Sequence, residues 1–228
     1  MKKHGQMSET TAVMALLTLS GGLQDAYSYF VRGKVFANAQ TGNIVLLGGH
    51  FFEGEWEQVP KYLFPLCFFA VGILITEQIR GHLQNMRRLH WRQLVVALEI
   101  LMLLIVSLLP VSEVMDPLAN ALTSCACAMQ VQAFRKVNGC GYASTMCIGN
   151  MRSGMESFSA YLRLHDRKLL KKALQYLQVI VIFFLGAGIG KRLTELLGQR
   201  SILVSCILLL LGFCIMFIQE EHEEAASE

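Results

Sequence analysis

The chain has 228 residues, 54% of them hydrophobic and 16% charged, with a mean hydropathy of +0.44 and a formal net charge of +3. Soluble domains carry about 25% charged residues, and here the charges cluster between long uncharged runs, which excludes an ordinary water-soluble domain. The pattern is that of an all-α integral membrane protein, because a charge at the bilayer centre costs roughly 2.5–3.5 kcal/mol. The basic residues then read as topology signals and not as a nucleic-acid surface.

Lys2 and Lys3 precede the first apolar stretch, but no small-residue cleavage site follows it, so a retained first helix is expected. About 20 apolar residues cross a bilayer. Six stretches qualify: 11–31, 62–79, 93–109, 118–134, 173–190 and 201–218. Pro110 and Pro117 bracket a tight turn between the third and the fourth. Two shorter stretches, 36–52 and 142–162, are left over; each is broken by polar residues and glycine. Residues 220–228 form an acidic tail, expected to be solvated and disordered.

Charge asymmetry chooses between six spans and eight. With six spans and both termini inside, the cytoplasmic side holds Lys2, Lys3, Arg80, Arg87, Arg88, Arg92, Arg135, Lys136, Arg152, Arg163, Arg167, Lys168, Lys171 and Lys172. The outside holds only Arg32, Lys34, Lys61, Lys191, Arg192 and Arg200, together with Glu53, Glu55, Glu57, Glu113 and Asp116. Eight spans give a weaker asymmetry and leave Arg152 in the membrane. In the six-span solution the two short stretches enter and leave on one side or lie in the interface, the first from outside and the second from inside.

Each half then reads as one helix, one broken apolar stretch and two further helices: a first repeat over 1–110 and a second over 111–219. Three spans per half invert the second repeat relative to the first. An offset of 107 residues carries Ala26 onto Ala133, Tyr27 onto Phe134, and Gly42-Asn43 onto Gly149-Asn150. Inverted repeats with glycine-interrupted segments at matching places are a signature of secondary transporters. Broken backbone in hydrocarbon is tolerated only where protein or water satisfies it. A half-helix starting near Thr41 would direct free N–H groups and the positive end of its dipole into a cavity, with Thr41 and Asn43 adding side-chain hydrogen bonds. Two readings stand for Gly42, Asn43, Gly149 and Asn150: a ligand role, or helix capping and close packing.

Asp25 is the leading site candidate. Thr18, Gly21, Gly22, Asp25, Ser28 and Arg32 follow helical spacing along one small, polar face that should point into the bundle. An acid in such a place is a functional hypothesis by default; Asp25 with Arg32 would be a coupling pair. The alternative is a structural ion pair of Asp25 with Arg32 or Arg135. Gln132 aligns with Asp25 at the same offset and completes the candidate set. Glu99 is expected to snorkel or pair with Arg92, and Glu77 to be an ordinary helix-end acid. Gln130, Gln132 and Asn138 suit interhelical hydrogen bonds. Trp56 and Trp91 suit an interfacial aromatic belt. The basic run 163–172 suits anionic lipid. The seven cysteines, mostly in apolar runs, lack the spacing and the histidines of a zinc site.

The stretch "GGLQDAYSYFVRGKVFANAQTGNIVLLG", residues 21–48, closely resembles the signature of the YoaK-like family of bacterial inner-membrane proteins. The glycine pair, Asp25, Tyr27, Arg32-Gly33 and "FANAQTGN" carry the resemblance, which extends over nearly the whole chain. The second half departs from the family's tendency, with Ile148-Gly149 where a Thr-Gly pair is usual. The resemblance implies multi-pass insertion in the inner membrane and names no activity.

The expected function is a small secondary transporter or channel-like protein for a small polar or anionic solute, sited where the two broken segments meet. The alternative is a non-transporting membrane scaffold or accessory subunit. No G-x-S-x-G, H-E-x-x-H or paired histidines within a span suggest an enzyme. No cofactor, metal or nucleic-acid partner is expected. The partners are the bilayer and an unidentified solute, and oligomerisation is left open.

Overall fold

The computed structural model describes residues 10–83, 91–137 and 139–225, with side chains through 216. Lys2, Lys3, Arg87, Arg88, His90, Asn138 and the end of the acidic tail lie outside the described residues. Helix α1 (Thr11–Val31) starts at an N-cap, Thr10, whose hydroxyl accepts from the Val13 N–H at 3.4 Å. It stops where Gly33 (φ +80°) and Lys34 (φ 63°) turn left-handed and reverse the chain. Helix α2 (Gln40–Glu53) ends on left-handed Gly54, whose N–H caps the last turn. There follow α3 (Val59–Leu83), α4 (Trp91–Leu108) and α5 (Asp116–Ala133), the last with Pro117 in its first turn, where no amide hydrogen is needed. A two-residue hairpin, β1 (Lys136–Val137) against β2 (Cys140–Gly141), turns at Gly139 (φ +77°). Helix α6 (Cys147–Leu164) leads through left-handed His165 to α7 (Arg167–Leu197), capped by the Asp166 carboxylate on the Lys168 N–H at 2.9 Å. A 3-10 turn, Gly198–Ser201, joins α7 to α8 (Ile202–Ala225).

Each expected span lies on a helix, and most helices overrun the apolar stretch at one or both ends. The hairpin is an addition to the all-α expectation. The expectation of disorder in the acidic tail is corrected as far as Ala225: α8 continues as helix to that residue, since glutamate and alanine there are good helix formers.

Among the described residues, three helical stretches are long and apolar enough to cross a membrane: Val59–Leu83, Trp91–Leu108 and Arg167–Met216. Helices α1 and α5 fall outside that set because Ser, Gly, Asn, Gln and Asp dilute their hydropathy. They are instead the interior of the bundle, buried almost continuously through Leu17–Ser28 and Ala119–Gln130. Helix α1 packs on α7 and α8, α5 on α3 and α4, and α4 on α8; α2 lies on α3, and α6 on α7. The outward faces are apolar, with Leu74, Ile105, Phe184 and Leu210 exposed, as suits lipid rather than water.

Glycines set the closest approaches. A Cβ at Gly186 of α7 would sit 2.3 Å from the Leu19 carbonyl oxygen of α1, and one at Gly72 of α3 would sit 2.5 Å from the Cys125 carbonyl oxygen of α5. Trp91 corrects the aromatic-belt expectation. It packs in the core with the Arg92 guanidinium 5.1 Å from its ring, whereas Trp56 is exposed.

Candidate functional site

After α1 the chain doubles back along the helix it has just left. The Lys34 N–H donates to the Tyr29 carbonyl at 3.1 Å, the Ala37 N–H to Ser28 Oγ at 3.1 Å, and the Asn38 N–H to Asp25 Oδ1 at 2.9 Å. The Asn38 amide reaches the Gly21 carbonyl at 3.3 Å. This extended leg therefore descends to the middle of α1, where α2 begins and runs back out. The second half repeats the move. The Tyr142 N–H donates to the Arg135 carbonyl at 2.9 Å, Gln130 of α5 donates to Ser144 Oγ at 2.8 Å, and α6 then begins at Cys147. Segments 36–52 and 142–162 are thus each an extended leg and a returning helix.

Asn43 and Asn150 pin these legs. Asn43 Nδ2 donates to the Phe36 carbonyl at 2.8 Å. Asn150 Nδ2 donates to the Ala143 carbonyl at 2.6 Å, and its Oδ1 accepts from the Ala143 N–H at 3.2 Å. Each asparagine thus reaches back seven residues to hold a leg against the first turn of its helix; both polar atoms of Asn150 are matched in this way, while Asn43 Oδ1 stays buried without a partner among the described residues.

The two helix starts open onto one cavity of about 510 Å³. Asp25, Asn38 and Thr41 line it from the first half; Thr145, Cys147 and Gly149 line it from the second. Leu66, Phe69 and Phe183 provide apolar wall. The N-cap residues Ala39 and Met146 give no side-chain cap. At α2 the Gln40 and Gly42 N–H groups donate to the Asn38 and Ala39 carbonyls, which leaves the Thr41 N–H, whereas α6 keeps the N–H groups of its first turn; both helices direct the positive ends of their dipoles here. Asn38 Oδ1 and Thr145 Oγ1 are buried without a hydrogen-bond partner among the described residues. A buried polar atom left unmatched costs free energy, and both residues belong to the cavity lining.

Asp25 is 8% exposed and makes no ion pair among the described residues. Neither expected partner reaches it. Arg135 pairs with Glu77 on α3. Arg32 is fully buried and spends all five N–H donors elsewhere: Nε on the Tyr27 hydroxyl at 2.8 Å, Nη1 on the Pro110 carbonyl at 2.8 Å and Asp116 Oδ1 at 3.1 Å, and Nη2 on the Val106 and Leu109 carbonyls at 3.0 and 2.7 Å. It clamps the end of α1 to the end of α4 and the start of α5.

Gln132 stands apart from the Asp25 cavity. It donates to Glu77 and lines a separate recess of about 380 Å³ with Gly149 and Asn150. Gly42 and Gly149 are not close-packing glycines. A Cβ at Gly42 would meet only Phe36 at 4.0 Å, and one at Gly149 would meet nothing within 4 Å. Glu99 corrects the snorkelling expectation: it is completely buried, bonded to Gln24 at 3.3 Å, and away from Arg92, which donates to the Ala133 carbonyl. Sequence reasoning passed over Asn38 and Thr145. The signal was there, since the offset of 107 residues that pairs Asn43 with Asn150 also pairs Asn38 with Thr145.

Comparison with known proteins adds identity without chemistry. No solved structure matches the chain significantly. UPF0700 transmembrane protein YoaK of Bacillus subtilis (strain 168) is 28% identical over 182 residues, covering 77% of this chain and 80% of that protein. Residues 13–215, from the first turn of α1 into α8, match the family described as protein of unknown function (DUF1275). A match of that extent places the chain in this family, and it is a YoaK-like membrane protein.

Proposed function

We infer that this protein is a small secondary transporter of the bacterial inner membrane, built as six spans in two inverted three-helix repeats with both termini in the cytoplasm. Several symmetries support the repeat. Exchanging α1 with α5, α2 with α6, α3 with α7 and α4 with α8 leaves the set of main packed pairs unchanged. The same exchange carries the helix starts Gln40 and Cys147, the N-caps Ala39 and Met146, and the Asn43 and Asn150 pins onto one another. The long helices also alternate in direction. The ends of α1 and α4 meet the start of α5 at Arg32, while Glu77 near the end of α3 meets Arg135 just after α5.

The observation that carries the transport reading is the cavity where two side-chain-free helix starts meet beside Asp25. Helix N-termini favour a carboxylate, phosphate or other acceptor group. Asp25, when ionised, repels the same group. An anionic solute therefore binds best when Asp25 carries a proton, and the solute and the proton then travel together. The guest is a small polar or anionic solute whose remaining surface suits the apolar wall. Arg32 belongs to the frame in this reading and not to the coupling machinery.

Uptake of a panel of small carboxylates, phosphates and neutral polar metabolites into vesicles, with and without the purified protein, tests the reading. Protein-dependent uptake of an anion that rises with an inward proton gradient is expected. A correctly inserted protein that moves no member of the panel, and whose cellular phenotype survives isosteric replacement of Asp25 and Thr41, would favour a membrane scaffold instead.

A further inference from the structure

Glu99 stands midway along α4 with no exposure. Its Oε1 accepts a single hydrogen bond, from Gln24 Nε2 of α1 at 3.3 Å, and its Oε2 is buried with no partner. No ion pair reaches it among the described residues. Among the described residues, the groups that face this stretch from the packed helices are Gln24 of α1, with Ser20 behind it, Cys127 of α5 and Cys206 of α8, none of them a cation. Arg92, on the same helix, is turned to the Ala133 carbonyl at 3.0 Å. The other acid near this cluster is Asp25, the residue after Gln24, on the cavity side of α1. A carboxylate with one neutral donor and one bare oxygen, in a cluster without a positive charge, has its desolvation uncompensated. As a carboxylic acid the same side chain carries no buried charge, and the cost falls to that of one unmatched O–H.

We propose that Glu99 is a second proton-binding site of this protein, occupied as the neutral acid at neutral pH and linked across α1 to the Asp25 cavity. The link is a contiguous run of polar groups. Gln24 Nε2 donates to Glu99, and Gln24 Oε1 accepts from Cys127 Sγ at 2.8 Å. Cys127 lies within electrostatic reach of both Glu99 and Asp25 and against the Asn38 side chain. The Asn38 N–H in turn donates to Asp25. Loss of the proton converts the acid to a carboxylate and releases one proton to water, with no other bond changed. The carboxylate must then draw on Gln24, whose carbonyl end is held by Cys127, so a change in Glu99 is felt along the run. None of this depends on whether the protein transports a solute.

Infrared spectra of the protein in lipid bilayers, recorded over a range of pH, test the proposal. The carboxylic-acid C=O stretch should be present at neutral pH, vanish in Glu99→Gln and remain in Asp25→Asn. The pH at which it disappears should move in Asp25→Asn, because the two sites are linked. Gln24→Leu removes the sole hydrogen-bond donor to Glu99 and should shift the band to higher frequency. That variant decides the matter if Glu99→Gln does not fold. A wild-type spectrum without the band, a band kept in Glu99→Gln or lost in Asp25→Asn, or a band unmoved by Gln24→Leu would each overturn the assignment. A band that titrates identically in wild type and Asp25→Asn would overturn the link.

Discussion

The backbone N–H of Asn38 donates to Oδ1 of Asp25 at 2.9 Å, so the acid in the middle of α1 is also the peg on which the extended leg after α1 hangs. Two roles meet in one side chain, and substitutions can separate them. Asparagine keeps an oxygen for the Asn38 N–H, whereas leucine leaves that buried donor unmatched. Asp25→Asn should therefore insert and melt like the wild type, because no ion pair is broken. Asp25→Leu should lose about 1–3 kcal/mol. Thermal unfolding of the two variants in detergent checks this; equal stability would deny the peg its structural part.

The pH dependence of uptake follows from the sign of the charge at Asp25. Protonation removes repulsion toward an anionic guest, so uptake by the wild type should rise as external pH falls. Asp25→Asn should be independent of pH over the same range. Initial rates in vesicles, with the internal pH clamped, read this directly. A wild type and variant with parallel pH profiles would place the coupling group elsewhere.

Arg32 should tolerate almost nothing. Its guanidinium satisfies three carbonyls, a phenol and a carboxylate at zero exposure. Arg32→Met strands those partners and should cost about 3–5 kcal/mol. Arg32→Lys should recover little, because a point charge cannot copy a five-donor fork. Asp116→Asn should be milder, since the carboxylate is partly exposed and the carbonyl bonds survive. Melting temperatures in one detergent rank the three. Arg32→Lys matching the wild type would mean that charge alone matters at this corner.

Much of this was legible from residue order. The helix α1 was read to the residue, Asp25 was placed on a buried face, and the two broken segments were found by their polar residues and glycines. What stayed hidden was direction. Helical spacing puts Asp25 and Arg32 on neighbouring strips of one face, yet Arg32 sits where the helix ends, so its long side chain turns to the carbonyls of α4. Glu99 looked peripheral because it is early in an apolar stretch; it faces inward, where Gln24 of α1 and Cys206 of α8 stand beside the carboxyl. For Asn43 and Asn150 residue order left a ligand role and a capping role side by side, and only the backbone path shows each one bonded to a carbonyl of its own chain seven residues back.

Topology can be read chemically. In a cysteine-free background, Glu55→Cys follows α2, Val114→Cys lies in the turn whose carbonyls Arg32 holds, and Lys168→Cys lies at the start of α7; the six-span arrangement puts the first two on one side and the third on the other. The first two should react with an impermeant maleimide on intact cells, and the third only after permeabilisation. Labelling of positions 55 and 168 from the same side would refute the six-span arrangement.

The glycines separate packing from binding. At Gly186 and Gly72 an added methyl would press to 2.3 and 2.5 Å against a carbonyl oxygen of the facing helix, and backbone cannot step aside as a side chain can. Gly186→Ala and Gly72→Ala should therefore cost roughly 1–3 kcal/mol through overpacking and part α1 from α7 or α3 from α5. Gly42 and Gly149 sit in the first turns of α2 and α6 with room for a methyl. There alanine removes the entropic cost of glycine in a helix, a gain of up to about 1 kcal/mol, so both variants should be at least as stable as the wild type. Only Gly149 also lines the cavity. Gly149→Ala narrows the space in front of the α6 N–H groups, so it should keep stability and weaken solute binding, and Gly149→Leu should abolish it. Melting temperature and solute uptake on the same four alanine variants give the pattern. Loss of stability at Gly149 would return it to the packing class, and full uptake by Gly149→Leu would move the guest away from this cavity.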